Sequence, residues 1–322
     1  MFNAERKQRF IAARFKNVLG VKRANYFFDS VEEFERMYNC DIAQMNVDQL
    51  QNTFNNVAGL RSKNAQDQYR MFRDYIEWCR KCDLEPADSI YAITVGTFDN
   101  MRSRMVGSPL HLKDILDQVF PHPDGNSIEY IYRTYLWLAF SGFLEEEAIR
   151  VCADDVRFTS AEILDSESDR AYPLYAESYP DIHMACTLTF FCEPRGKGKV
   201  CTIKQRQDGN EILRGKVTQK TIEEQLTSTI RPTISRAFRK YAQNNASGAS
   251  LSYRRIYMSG IFYRKYESDR IGKNDDGMFR EIATRDILMS HRITQKSSAA
   301  QAIASTVREY KSDYASWKHL FT

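Results

Sequence analysis

Arginine and lysine crowd into two stretches of this chain. Between Arg231 and Lys273, ten bases (Arg231, Arg236, Arg239, Lys240, Arg254, Arg255, Arg264, Lys265, Arg270 and Lys273) stand against two acids, Glu267 and Asp269. Between Glu193 and Lys220, eight bases, among them Arg195, Lys197, Lys199, Lys204 and Arg206, stand against three acids. The formal net charge is only +4, so the rest of the chain is acidic on balance. A guanidinium presents a planar fork of donors that matches phosphate oxygens, and an ammonium adds a point charge. Basic charge gathered in this way is the footprint of a polyanionic partner, above all nucleic acid. The competing reading is two solvated basic faces with no partner.

Other chemistries find less support. Seven cysteines are an odd, scattered set in a chain long enough to build its cores without disulfides, so they are expected as reduced thiols. Cys79-Arg80-Lys81-Cys82 is a lone C-x-x-C with no second pair at zinc-ribbon spacing. No metal and no cofactor are therefore expected. No apolar run reaches the roughly 18 residues of a membrane helix, and Met1 to Arg23 is charged throughout, which points to a cytoplasmic protein with no membrane partner.

These residues must be held by a fold, and 322 residues suffice for two domains. The first hundred residues carry helical signals only. Helices are expected over Glu5–Leu19, over Val31–Tyr38 behind a Ser30/Glu33 capping box, from an Asn46 cap to Phe54, and over Ala65–Cys82, where Tyr69, Phe72, Ile76 and Cys79 share a face. Prolines 86, 109, 121 and 123 mark a boundary region with one short helix at Leu110–Val119. Helices follow over Ser127–Phe140 and Glu145–Val151. A β-hairpin with a basic tip is expected from Met184–Cys192 and Lys199–Arg206. Helices resume over Thr221–Gln243, Tyr253–Tyr266, Phe279–Ser290 and Ser298–Trp317. The class is α+β, mostly helical, with a helical domain at 1–108, a linker at 109–126 and a second domain at 127–322.

Three ordered segments resemble the tyrosine recombinases, the phage integrase family. The Gln68–Cys79 helix is similar to one in the helical core-binding domain of that family. Leu138-Ala139-Phe140-Ser141-Gly142-Phe143-Leu144-Glu145-Glu146-Glu147, with Asp154-Asp155-Val156 after it, resembles the T-G-L-R-x-x-E box. Leu251-Ser252-Tyr253-Arg254-Arg255-Ile256-Tyr257-Met258-Ser259 resembles H-x-L-R-H-T-F-A-S, and Ile287-Leu288-Met289-Ser290-His291 resembles the L-L-G-H box.

The resemblance implies a phosphoryl-transfer site: a tyrosine nucleophile, two phosphate-clamping arginines, two histidines and a hairpin lysine that protonates the leaving oxygen. The first arginine position holds Leu144 and the first histidine position Leu251. The second arginine matches Arg254 and the second histidine His291. Lys197, Lys199 and Lys204 remain alternatives for the lysine. The usual offset to the nucleophile lands on Ala300, with Tyr310 and Tyr314 beyond it. Leucine supplies neither charge nor donor, and losing a transition-state arginine costs on the order of 10³-fold in rate. The expectation is a frame that keeps its grip on double-stranded DNA after its chemistry is gone. It is similar to the integrase-like lytic-cycle repressors of temperate phages (MrpR-like). The alternative is an active but divergent recombinase, and a third reading is a helical interaction protein whose basic stretches are incidental. Expected DNA contacts are Arg195, Lys197, Lys199, Lys204, Arg206, Arg236, Arg239, Lys240, Arg254, Arg255, Arg264 and Lys265. Val307, Tyr310, Tyr314 and Trp317 form an apolar stripe on the last helix, expected to dock within its domain or against a second copy.

Overall fold

The computed structural model describes residues 2–57, 62–82, 84, 86–94, 104–121, 125–195, 200–218, 220–244, 251–273, 277–289 and 296–322. It is mostly helical with small antiparallel sheets, and its contacts divide into two units. One is built chiefly from Met1–Arg104, the other from Met105–Tyr241 with Leu251–Thr322. No helix among the described residues is long and apolar enough to cross a membrane.

The first unit contains α1 (Ala4–Arg14), α2 (Val18–Tyr38), α3 (Val47–Val57) and α4 (Ser62–Lys81), with short 3-10 turns at Ile42–Gln44 and Asp88–Tyr91. Its core is aromatic. Phe10 meets Tyr75 edge-on at 5.3 Å, and Phe27 meets Phe72 at 4.9 Å. Such pairs add about 0.5–1.5 kcal/mol beyond the area they bury. Within this core Lys7 is ion-paired with Glu35, both fully buried. The expected break near residue 30 is absent. The Ser30 hydroxyl donates back to the Phe27 carbonyl at 2.6 Å, which satisfies it inside a continuous α2. The real start of α2 is Asn17, whose Oδ1 accepts from Gly20 N–H at 2.7 Å and ends the helix expected over Glu5–Leu19 at Arg14. Asn46 and Gln49 cap α3 reciprocally, at 2.9 and 3.1 Å.

The second unit is assembled around α6 (Glu129–Ser141), in which every residue from Tyr130 to Ser141 is buried. Before it, α5 (Pro109–Val119) occupies much of the expected linker, with Leu112, Ile115 and Leu116 buried in this unit. After it come α7 (Glu145–Ala148) and strands β1 (Val156–Arg157), β2 (Glu162–Asp165) and β3 (Arg170–Pro173), which pair as an antiparallel meander. Sequence reading missed this sheet, because its strands are two to four residues long and too short to show alternation. Helix α8 (Tyr179–Thr187) corrects the expected strand over Met184–Cys192: Pro180 sits in its first turn and Ile182 and Ala185 are buried, so strand β4 begins only at Phe190. Strands β4 (Phe190–Arg195) and β5 (Val200–Gln205) form the expected hairpin, paired from Phe190↔Gln205 to Arg195↔Val200. The chain then runs through α9 (Ile222–Gln225), a π-helical turn at Leu226–Ile230, α10 (Arg231–Asn244), α11 (Tyr253–Arg270), α12 (Met278–Met289) and α13 (Lys296–Phe321).

Two features lock this unit. Arg133 on α6 is fully buried and donates to Asp181 at 2.7 Å, Asp117 at 2.8 Å and the Phe120 carbonyl at 2.8 Å, so α5, α6 and α8 share one charged centre. Gly260 on α11 lies against α6 so closely that an added Cβ would stand 1.8 Å from the Phe140 carbonyl oxygen. Beside this crossing, the Trp317 indole N–H donates to the Val106 carbonyl at 3.0 Å, and Val106 N–H donates to the hydroxyl of Ser259, the residue before Gly260, at 2.9 Å. Tyr310, Tyr314 and Trp317 are buried at 2, 8 and 1% exposure, so this stripe of α13 closes its own unit and does not offer itself to a second copy.

Candidate functional site

Three segments of the second unit bring chemistry together: the turn after α6, the first turns of α11, and the end of α12 against the middle of α13. Gly142 ends α6 in the left-handed region (φ 106°), where L side chains are strained, and its N–H caps the Leu138 and Ala139 carbonyls. The turn directs Phe143 and Leu144 into α7, where the Glu147 carboxylate accepts from Leu144 N–H at 2.7 Å. Ser252 caps α11 and points Tyr253, Arg254 and Tyr257 toward this turn. The Tyr253 hydroxyl donates to the Phe143 carbonyl at 2.9 Å.

At the centre stands Asp286, whose side chain is 7% exposed. Its Oδ2 accepts from Arg254 Nη2 at 2.8 Å and from the Tyr310 hydroxyl at 2.6 Å, and its Oδ1 accepts from the Tyr257 hydroxyl at 2.6 Å. Arg254 also donates to the Tyr310 oxygen at 2.7 Å and lies 4.7 Å from the Tyr257 ring centroid. A second guanidinium, Arg285, enters beside it. It donates to the Tyr257 hydroxyl at 2.6 Å, to the Gly142 carbonyl at 2.9 Å and to the Tyr172 hydroxyl, and it faces the buried Glu147 at 3.7 Å. Arg254 is opposed by Asp286 and Arg285 by Glu147, so the pocket is neutral without any ligand.

The protonation preferences agree with that geometry. Burial and the Asp286 charge push the Tyr310 phenol well above its ordinary range, against the opposing pull of Arg254. Burial pushes Tyr257 up in the same way. The surrounding carboxylate and phenols outweigh burial at Arg254 and Arg285 and hold both firmly protonated. Tyr314 donates to Asp269 at 2.7 Å, and Asp269 also holds Lys265, which is 6% exposed; this second cluster is separate from the Asp286 hub.

The remaining sequence-derived residues are dispersed. Leu251 is 5% exposed and Leu144 is half-buried. Arg236 and Lys240 lie one turn apart on the solvent face of α10, opposite the buried Ile234 and Phe238, with Arg239 half-buried beside them. Lys204 is exposed on β5; Arg255 and Arg264 are half-buried on α11. Arg206 is a structural residue: it is 4% exposed and its guanidinium donates to the carbonyls of Ala185, Leu188, Ile212 and Arg214 at 2.6–3.3 Å, which withdraws it from any ligand. Arg195 ends β4. Lys197, Lys199 and His291 lie outside the described residues.

Arg254, the match to the second motif arginine, is in direct contact with Tyr310, which lies ten residues beyond the motif offset at Ala300. Asp286, Arg285, Tyr257 and Tyr172 were not anticipated. Helix α12 also carries Arg280 and Glu281, so nothing in the sequence marks out the charged pair Arg285-Asp286. The hairpin next to the pocket is β2–β3, since Tyr172 on β3 touches Arg285. Its connection, Ser166-Glu167-Ser168-Asp169, is acidic and contains no lysine.

No curated protein matches this chain. Residues 1–81 match the family described as MrpR, N-terminal core-binding domain, which supports an integrase-like N-terminal domain.

Proposed function

We propose that this protein is a duplex-DNA-binding regulator, of the kind that silences a phage or prophage, built on a tyrosine-recombinase-type frame without phosphoryl-transfer chemistry. The observation that carries this reading is the Asp286 hub. The arginine and tyrosine that a recombinase would offer to a phosphate are both held by a buried internal carboxylate. An incoming phosphodiester would have to displace a charge already bound by three donors. Leu144 adds no donor, and the hairpin at the pocket brings no lysine. DNA binding itself needs none of this. It rests on phosphate contacts from exposed bases, here Lys204, Arg236 and Lys240, with the half-buried Arg239, Arg255 and Arg264 at the margin. The N-terminal match to a core-binding domain supports the same partner.

A gel-shift titration of the full chain against prophage promoter DNA tests the proposal. The binding constant should fall steeply with salt, with a log–log slope of roughly 0.9 per phosphate neutralised. Indifference to duplex DNA at about 50 mM salt would refute it, since screening is weak there. Genomic footprinting should return repeated sites near promoters.

One observation favours a second reading. Arg254 and Tyr310 lie in hydrogen-bond contact, and Arg285 supplies another guanidinium next to them. An active, divergent recombinase would form a covalent adduct on a nicked suicide substrate, and Tyr310→Phe would abolish it. A single attachment site in the footprint would point the same way.

A further inference from the structure

The exposed side of α2 is neither acidic nor basic throughout. It is divided, and the division is self-complementary. Four of the eleven exposed large hydrophobic residues among the described residues lie on this one helix: Val18 (73% exposed), Leu19 (60%), Tyr26 (75%) and Met37 (43%). At 3.6 residues per turn, Leu19, Tyr26, Glu33 and Met37 fall within an arc of about 40°, opposite the side that buries Ala24, Phe28, Val31 and Glu35 in the core. Lys22 and Asp29 flank that ridge on one side, and Arg23 and Ser30 on the other. Beside the ridge, the exposed bases Lys22 and Arg23 sit in the N-terminal half and the exposed acids Asp29 and Glu33 toward the C-terminal half, while the exposed Arg36 of the last turn is bonded to Glu32.

The helix macrodipole favours acids at the N-terminus and bases at the C-terminus; α2 has no acid in its first turn and one base, Arg36, in its last. An antiparallel copy of the same helix complements Lys22 and Asp29. About a two-fold axis near Tyr26, like flanks face each other. Lys22 lies about 6 Å along the axis on one side of Tyr26, and Asp29 about 4.5 Å on the other. Lys22 of one copy therefore stands level with Asp29 of the second, and the pair occurs twice. Tyr26 meets Tyr26, and Leu19 covers the aliphatic stem of Glu33.

We infer that the exposed ridge of α2 is an isologous dimer contact with a second copy of this chain, registered by reciprocal Lys22–Asp29 pairs around Tyr26. The inference is independent of the DNA-binding proposal. It gives a two-fold assembly from the N-terminal unit in place of the α13 stripe, which is consumed within its own unit.

Sedimentation velocity of the full chain over a wide concentration range is the test. The unaltered chain should show a reversible monomer–dimer equilibrium. Lys22→Glu and Asp29→Lys should each raise the dissociation constant on the order of tenfold, because each places like charges opposite one another twice. The double variant Lys22→Glu with Asp29→Lys should return it toward the original value, and Tyr26→Asp should leave monomer. All three positions are solvent-exposed, so unchanged melting curves should accompany these shifts. A chain monomeric at every concentration, or a dimer indifferent to these changes, overturns the inference. So does a monomer in which Lys22→Glu weakens DNA binding and Asp29→Lys strengthens it, since the ridge is then a DNA contact.

Discussion

Gly260→Ala adds one methyl where α11 crosses α6, and the structure specifies what it meets. The new carbon would stand 1.8 Å from the Phe140 carbonyl oxygen, 2.6 Å from its carbonyl carbon and 2.8 Å from its Cα. All three are backbone atoms of a fully buried helix, so no side chain can swing aside. Restoring an ordinary separation of about 3.5 Å needs the helices to part by on the order of 1.5 Å. Overpacking of well-packed interiors costs about 1–3 kcal/mol, and the upper end applies where backbone meets backbone. For a unit of this size each kcal/mol lowers the melting temperature by about 2–4 °C, so a drop of about 6–12 °C is expected by calorimetry. The displacement also reaches the pocket, because Tyr253 bonds to the Phe143 carbonyl and Arg285 to the Gly142 carbonyl at the end of the same α6. Gly272→Ala is the control: its φ is 74°, but nothing lies within 4 Å of an added Cβ. Backbone strain alone should cost it about 1–2 kcal/mol. If Gly260→Ala melts no lower than Gly272→Ala, the reasoning about this crossing is wrong.

Asp286→Asn removes the internal anion from the pocket while keeping its shape. Arg254 then becomes available, and duplex affinity at low salt should rise on the order of tenfold in the gel shift; an unchanged affinity would mean that Arg254 does not face DNA. Glu35 gives a pH prediction. Burial outweighs its Lys7 partner and pushes its carboxyl up to about 7 from an ordinary 4.5, so the folded first unit holds a proton that the unfolded chain releases earlier. Stability contributed there is full below about pH 4.5 and is lost as pH rises through about 7, by at most about 3 kcal/mol. Thermal scans across this window should show the decline, and Glu35→Gln should flatten it. Arg206→Met removes donors from four buried carbonyls and should cost about 2–4 kcal/mol in chemical denaturation. DNA affinity measured well below the new melting temperature should stay unchanged; a salt-dependent loss would instead make Arg206 a phosphate contact.

The long helices were legible because their apolar period is sustained. Helix α4, expected at Ala65–Cys82, spans Ser62–Lys81, and α11 begins at Tyr253 as read. Short-range chemistry misled in two places. Ser30 carries a cap signature yet bonds within its own helix, since a hydroxyl can accept an N–H or donate to a carbonyl one turn back. The Thr-Leu-Thr-Phe-Phe run suggested a strand reaching back to Met184, but Pro180 at a helix start and two buried positions a turn apart outweigh β-propensity there. The site was half-legible. Arg254 was singled out by its motif position and Tyr310 as one of two tyrosines beyond the expected offset, and they touch. Asp286 and Arg285 were invisible, because a charged residue becomes central only through what tertiary packing sets against it. Sequence position alone left one arginine facing a phosphate. The folded chain provides two and neutralises both.

The bond from Trp317 to Val106 means that the second unit begins and ends at one seam, with Ser259 securing the incoming strand from the other side. A polypeptide whose entry and exit lie side by side tolerates having them joined. A short linker from Thr322 to Met105, with new ends opened elsewhere on that unit, should therefore give a circular permutant that keeps its core. Severing the seam by Trp317→Ala should leave the unit prone to unzip from both ends at once.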